Sequence, residues 1–253
     1  MKYYEICFSP TGGTEKVSGF LMKELTKEYT TVDLRTNGTN FSNISLSQDD
    51  IALIAVPSFG GRVPATAAER LSLIKANGAK AILVCVYGNR AYEDTLAELQ
   101  DIARNSGFSI IAAIAAIAEH SISHKYGAGR PDTVDYQSLK EFADKIKAKT
   151  DGDDCSTPDI PGNRPYRKAG KVGIIPKPTN RCNKCGLCAK LCPVGAIDKK
   201  NPAKVDKKAC ISCMRCISVC PTKARKINGI LLAIVNMMLK KSCSERKECE
   251  LFI

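Results

Sequence analysis

Along the first 150 residues, short and almost unbroken apolar runs alternate with segments whose apolar positions recur at helical spacing. Residues 2–8, 31–34, 51–56, 80–86 and 108–118 are the apolar runs and read as strands, with 51–56 and 80–86 of the type buried on both faces of a parallel sheet. The intervening segments repeat every three to four positions. The first places Val17, Phe20, Leu21 and Leu25 on one face, and the last, 135–149, does the same with Leu139, Phe142 and Ile146. Residues 65–76 and 91–106 complete the set of helices, whereas 37–50 lack a helical pattern and read as loop. Strand and helix in regular alternation imply an α/β, doubly wound parallel five-stranded sheet over residues 1–150. Residues 151–175 then turn rich in Pro and Gly and read as an extended linker, stiffer than a Gly/Ser tether. Residues 227–239 are the only other apolar stretch; they suit a helix used for core packing or for a homodimer contact.

Between linker and last helix the pattern is set by cysteine. Cys182, Cys185, Cys188 and Cys192-Pro193 are followed, at a spacing of 28, by Cys210, Cys213, Cys216 and Cys220-Pro221. This doubled C-x2-C-x2-C-x3-C-P run is the pattern of bacterial two-cluster ferredoxins, in which the fourth cysteine of each run serves the other cluster. The expected ligand sets are therefore Cys182, Cys185, Cys188 and Cys220 for one 4Fe-4S cluster, and Cys210, Cys213, Cys216 and Cys192 for the other. Structural zinc prefers two separated C-x2-C pairs, and disulfides need an oxidising compartment that the first nine residues, without a signal-peptide pattern, do not suggest. Of the remaining thiols, Cys7 and Cys85 lie in strand-like runs as small hydrophobes, and Cys155, Cys243 and Cys249 carry no reactive signature.

Charge is distributed unevenly. Residues 1–150 hold 17 basic and 17 acidic side chains, and residues 151–253 hold 21 and 9, so the whole net charge of +12 belongs to the second part. Two oxidised clusters with their thiolates, at −2 each, would lower this to about +8. The rest suits an acidic redox partner protein. No nucleic-acid motif accompanies the basic residues, and no apolar run is long enough for a membrane span, so a soluble, cytoplasmic protein is expected.

The first strand ends in Ser9-Pro10-Thr11-Gly12-Gly13-Thr14, a hydroxyl-and-glycine loop opening a helix, which is the composition of an anion site. It lacks the lysine of a nucleotide-triphosphate loop, and taken alone such a loop also serves as a tight connection. The loop resembles the phosphate loop of flavodoxins. With Gly60-Gly61-Arg62-Val63-Pro64, Tyr87-Gly88-Asn89-Arg90-Ala91-Tyr92, Pro161-Gly162-Asn163, the cysteine runs and the ending near Cys243, the whole chain resembles the flavodoxin/ferredoxin fusion family. The resemblance implies strand order 2-1-3-4-5, a small C-terminal α+β bacterial ferredoxin-like domain over 176–226, a tail at 227–253, and bound FMN. It implies FMN contacts from Ser9, Thr11, Gly12, Gly13 and Thr14, from Pro57, Ser58, Phe59, Gly60 and Gly61, and from Tyr87, Gly88, Asn89 and Tyr92. There is no Trp, so Phe59, Tyr87 and Tyr92 are the available rings. Arg62 and Arg90 are open to a flavin or a surface role. His120 and His124 suit a plain loop better than a proton relay, since no partner is visible for either.

No acid, base or nucleophile constellation stands out, so the chemistry belongs to the cofactors. The expected function is electron relay between FMN and two 4Fe-4S clusters. The rivals are an FMN-dependent reductase of a small quinone or flavin acceptor, and a two-cluster ferredoxin carrying a flavin-free docking domain.

Overall fold

The computed structural model describes residues 1–152, 154, 156–170 and 173–253; Cys155 lies outside them. The first part contains, in order, β1 (Tyr3–Cys7), α1 (Gly13–Leu25), β2 (Thr30–Asp33), β3 (Ile51–Pro57), α2 (Ala65–Leu71), β4 (Lys80–Tyr87), α3 (Thr95–Asn105), β5 (Ser109–Ile117) and α4 (Thr133–Asp151). The five strands are parallel in the order β2-β1-β3-β4-β5. Successive side chains of a strand point to opposite faces. Ile6, Ile54, Leu83 and Ala113 therefore pack under α2 and α3, while Cys7, Leu53, Val84 and Ile114 pack under α1 and α4. Both faces are covered, which is why the strand runs are apolar throughout rather than alternating.

Three boundaries differ from the sequence pattern, each for a local reason. α2 ends at Leu71, where Ser72 donates its hydroxyl back to the Ala68 carbonyl at 2.9 Å. α3 begins only at Thr95, because Asn89 and Glu93 hold left-handed backbone (φ 63° and 46°) that no helix accommodates. α4 begins at Thr133, set by a capping box between Asp132 and Asp135.

The second part contains β6 (Lys177–Pro178), α5 (Leu187–Lys190), α6 (Arg215–Ser218), β7 (Arg225–Lys226), α7 (Gly229–Cys243) and β8 (Glu250–Phe252). β6 and β7 form a two-stranded antiparallel ladder. α5 and α6 are single turns that occupy equivalent places in the two cysteine runs. Each follows the same pair of left-handed residues, Lys184 and Gly186 in one run (φ 57° and 75°), Ser212 and Met214 in the other (φ 53° and 61°). A non-glycine residue held there costs on the order of 1–3 kcal/mol, so something other than local preference must fix these loops.

The tail returns to the first part. β8 pairs antiparallel with β5 and makes a sixth strand, Ala113 to Ala115 opposite Phe252 to Glu250. The pairing covers a hydrogen-bonding edge that β5 would otherwise expose. The Asn89 amide donates to the carbonyls of Cys243 and Glu245, both at 2.8 Å, and buried Arg130, paired with Asp135, donates to the Lys247 carbonyl at 2.6 Å. Arg246 pairs with Asp132 at 2.7 Å.

The linker docks as well. Buried Asp94 accepts from the backbone of Asn163 (2.8 Å) and Arg167 (2.7 Å), and those backbone N–H groups hold its carboxyl below the usual range. Gly162 (φ 141°) passes so close to α3 that a Cβ would stand 2.6 Å from that of Ala97. Arg62 forms a bidentate pair with Glu98 at 2.7 Å and lies over the Tyr166 ring, so it is a clamp for the linker.

Candidate functional site

At the carboxyl ends of the strands lies a cavity of about 480 Å³, inside the range of roughly 300–1,000 Å³ usual for small-molecule and cofactor sites. The loop after β1 supplies Pro10, Thr11, Gly13 and Thr14; the loop after β3 supplies Pro57, Ser58, Phe59 and Gly60; and β4 and its following loop supply Tyr87, Gly88 and Arg90. Thr14 is almost fully buried, yet its hydroxyl, like that of Thr11, has no protein partner among the described residues. Gly12 turns the chain into α1 with φ 95°. Two unpaired hydroxyls beside the first turn of a thirteen-residue helix form a cradle for an anion. Arg35 backs that cradle, donating to the Ser9 carbonyl at 2.7 Å and pairing with Glu15 at 2.9 Å, so the one carboxylate in the first turn is countered. These donors fit the phosphate of FMN.

Not every residue expected at this cavity lines it. Ser9 accepts at Oγ from the Glu15 backbone N–H, in the first turn of α1, at 2.9 Å. Gly12 shapes the turn, and Gly61 (φ 81°) packs on Glu93, a close approach that a Cβ would block. Tyr92 packs edge-on against Tyr87, ring centroids 5.3 Å apart, and its hydroxyl reaches Glu250 at 3.2 Å. Asn89 departs furthest from the expectation: its side chain is committed to the C-terminal tail.

Other linings were not signalled by the motifs. Ala118 to Ile122, after β5, close one end. His120 accepts at Nδ1 from the backbone of Ile122 and Ser123, both 3.2 Å, which leaves its proton on Nε2. Burial, with Arg90 nearby, lowers its pKa to about 4, so it is a neutral donor at pH 7. Its place could have been read from the topology, since a fifth parallel strand ends at the same edge as the other four. His124 pairs instead with Glu119 at the surface. Leu231, Ile234, Val235, Met238 and Leu239 of α7 form an apolar wall. Nothing in the spacing of α7 announces this use.

The eight motif cysteines surround two further cavities. Cys182, Cys185, Cys188 and Cys220 line one, and Cys192, Cys210, Cys213 and Cys216 line the other, the crossed grouping expected from the spacing. The thiols bound a space instead of meeting at a point. Among the described residues no three His, Cys, Asp or Glu side chains gather as ligands of a single ion. Four cysteines around one cavity are the donor set that a 4Fe-4S cluster takes. Without iron, burial pushes the Cys213 thiol up to about 11 and that of Cys216 to about 12, so cluster assembly must displace their protons. The Cys220 thiol is held low: burial would raise it, but the backbone N–H groups of Arg225, Thr222 and Ala224 outweigh that.

Residues 181–224 match the family of 4Fe-4S dicluster domains. The chain joins a domain of flavodoxin-like fold to a segment that matches 4Fe-4S dicluster domains. In this fusion the second assignment rests on the family match, and the first on the parallel 2-1-3-4-5 sheet with its ligand cavity at the strand ends. Over 67 residues the fusion is 37% identical to a component of the tetrathionate reductase of Archaeoglobus fulgidus, spanning 26% of this chain and about a third (32%) of that relative. Structures similar to its first part include a flavodoxin of Streptococcus pneumonia TIGR4 (18% identity, TM-score 0.43, 59% of this chain and 99% of that one). A Fusobacterium nucleatum flavodoxin bound to flavin mononucleotide aligns over the same shares with 14% identity and TM-score 0.41. Among the described residues no helix is long and apolar enough to cross a membrane.

Proposed function

We propose that the fusion binds FMN in the large cavity and a 4Fe-4S cluster in each cysteine-lined one, and that it relays electrons among the three. One observation carries the reading: Ile211, Ser212 and Cys213 line both the large cavity and the cavity of Cys192, Cys210, Cys213 and Cys216. In this reading one loop among the described residues is shared by the walls of both cofactor sites. The adjoining helix reinforces the contact, because Arg215 and Ser218 donate to the Pro10 carbonyl at 3.2 and 3.4 Å. Bound FMN exchanges electrons singly or in pairs, and each cluster exchanges them one at a time, so the set couples two-electron to one-electron carriers.

In this reading Thr11, Thr14 and the first turn of α1 hold the phosphate. Phe59 and Tyr87 border the ring site, with Gly60 (φ 63°) at a turn that glycine can readily reshape. His120 Nε2 offers a neutral proton, and α7 lays apolar side chains along one side of the cavity. The cluster of Cys182, Cys185, Cys188 and Cys220 lies away from the flavin, with Cys185 exposed, and serves as the port for a redox partner protein. Exposed Lys184, Lys199, Lys200, Lys207, Lys208 and Lys223 favour an acidic partner surface. The apolar α7 wall supports a second reading, reduction of a small apolar acceptor over the flavin.

The test is an anaerobic reductive titration with flavin and iron quantified on the same sample. One FMN and about eight irons per chain, with flavin bleaching and reduced-cluster paramagnetism rising together, are expected. Eight irons without flavin would remove the relay. Rapid turnover with a quinone and none with protein carriers would favour the reductase reading.

A further inference from the structure

Arg225, in β7, is 3% exposed, and among the described residues no carboxylate pairs with it. Its Nη1 donates to the Pro176 carbonyl at 2.7 Å and its Nη2 to the carbonyl of Pro202. Its Nε has no partner, and among the described residues it is the buried side-chain nitrogen or oxygen left in that condition. A guanidinium stays charged at every accessible pH and carries only donors. A buried cation with one donor unused and no counter-charge is strongly unfavourable unless an anion is brought to it.

The geometry places that anion. Pro176 lines the cavity of Cys192, Cys210, Cys213 and Cys216, Pro202 lines the cavity of Cys182, Cys185, Cys188 and Cys220, and Arg225 lines both. The guanidinium is thus pinned from the two sides of the partition between the cluster cavities, with Nε–H left over.

We infer that Arg225 is the resident counter-ion of both clusters, donating Nε–H to a sulfur of the cluster held by Cys192, Cys210, Cys213 and Cys216. Each cluster gains one negative charge on reduction, so a fixed cation beside it and a hydrogen bond to its sulfur both favour the reduced form. One charge shared by two clusters raises both potentials together. Because arginine does not titrate, this tuning is independent of pH. The inference depends on the cluster half of the proposed function and not on flavin binding.

The experiment is a redox titration of the full chain followed by electron paramagnetic resonance, after iron is counted. In Arg225→Gln carrying about eight irons, both midpoint potentials are expected to shift to more negative values, that of the inner cluster beside the flavin cavity by more. Arg225→Lys should restore the part due to charge and leave the remainder due to the Nε–H bond. Unchanged potentials in Arg225→Gln overturn the inference. Should Arg225→Gln lose iron, the wild-type protein labelled with 15N at arginine Nε decides. A 15N hyperfine coupling at a reduced cluster, retained in Arg215→Lys, supports the inference, and its absence overturns it. Wild-type iron well below two clusters per chain would overturn the relay itself, and this inference with it.

Discussion

The two halves of this chain are held together by different physics. The flavodoxin-like half has apolar layers on both faces of its sheet, with Phe8, Leu21, Leu53, Leu83 and Leu96 fully buried, and so carries its own hydrophobic driving force. The dicluster half has a buried apolar cluster of only Ala189, Cys192, Ala196 and Ile197, one of them an expected iron ligand. Its loops also hold Lys184, Ser212 and Met214 in left-handed backbone. A fold with so little to bury and such conformations to maintain needs its metal, as other small cysteine modules do. The first half is thus a self-supporting scaffold, and the second a set of loops drawn around its cysteines.

The sharpest way to break this comparison is to remove the iron. Under anaerobic chelation, amide exchange of residues 176–226 should rise to near the unfolded rate, while β1, β3, β4 and β5 keep their protection. Loss of protection in both halves together would show that the scaffold also depends on the clusters.

A smaller effect is expected from Thr11→Ala combined with Thr14→Ala. Two hydrogen bonds to a charged phosphate contribute about 1.5–3 kcal/mol each, so FMN affinity should fall by on the order of a hundredfold or more, with iron content unchanged. Flavin fluorescence titration measures this, and unaltered affinity would place the phosphate elsewhere.

The smallest effect belongs to His120. Its folded pKa, about 4, lies below the ordinary 6.5, so between these values the unfolded chain binds the extra proton. Stability of the scaffold should fall as pH drops from about 6.5 to 4, by at most about 3 kcal/mol. Denaturant unfolding of wild type against His120→Gln tests this: the variant should show a flatter pH profile over that window. An identical slope would locate the titrating group elsewhere.

What could be read from the chain divides along a similar line. The dicluster segment was legible because cluster ligation imposes a spacing that little else requires, and Cys192 and Cys220 line the cavities of the opposite cysteine runs. The five strands were legible because burial on both faces of a sheet leaves uninterrupted apolar runs. Asn89 was not: a motif places it in a loop near the ligand, but its amide is claimed by carbonyls 154 and 156 positions later. Arg62, open between flavin and surface, is taken by Glu98 and the linker.

The sequence by itself determined the elements, the cysteine repeat and the hydroxyl-and-glycine loop, because each depends on contacts among residues a few positions apart or on a repeat that declares itself. Only the tertiary structure decided that α7 would wall the cavity at the strand ends, that β8 would extend the sheet beside β5, and that Ser212 and Cys213 would line both that cavity and one of the two ringed by cysteines. It also decided that Arg225 would be buried where it lines both cysteine-ringed cavities. Those outcomes depend on the path of the chain back across itself, which no local pattern encodes, because the same apolar run or lone arginine satisfies many environments until the surrounding surfaces choose one.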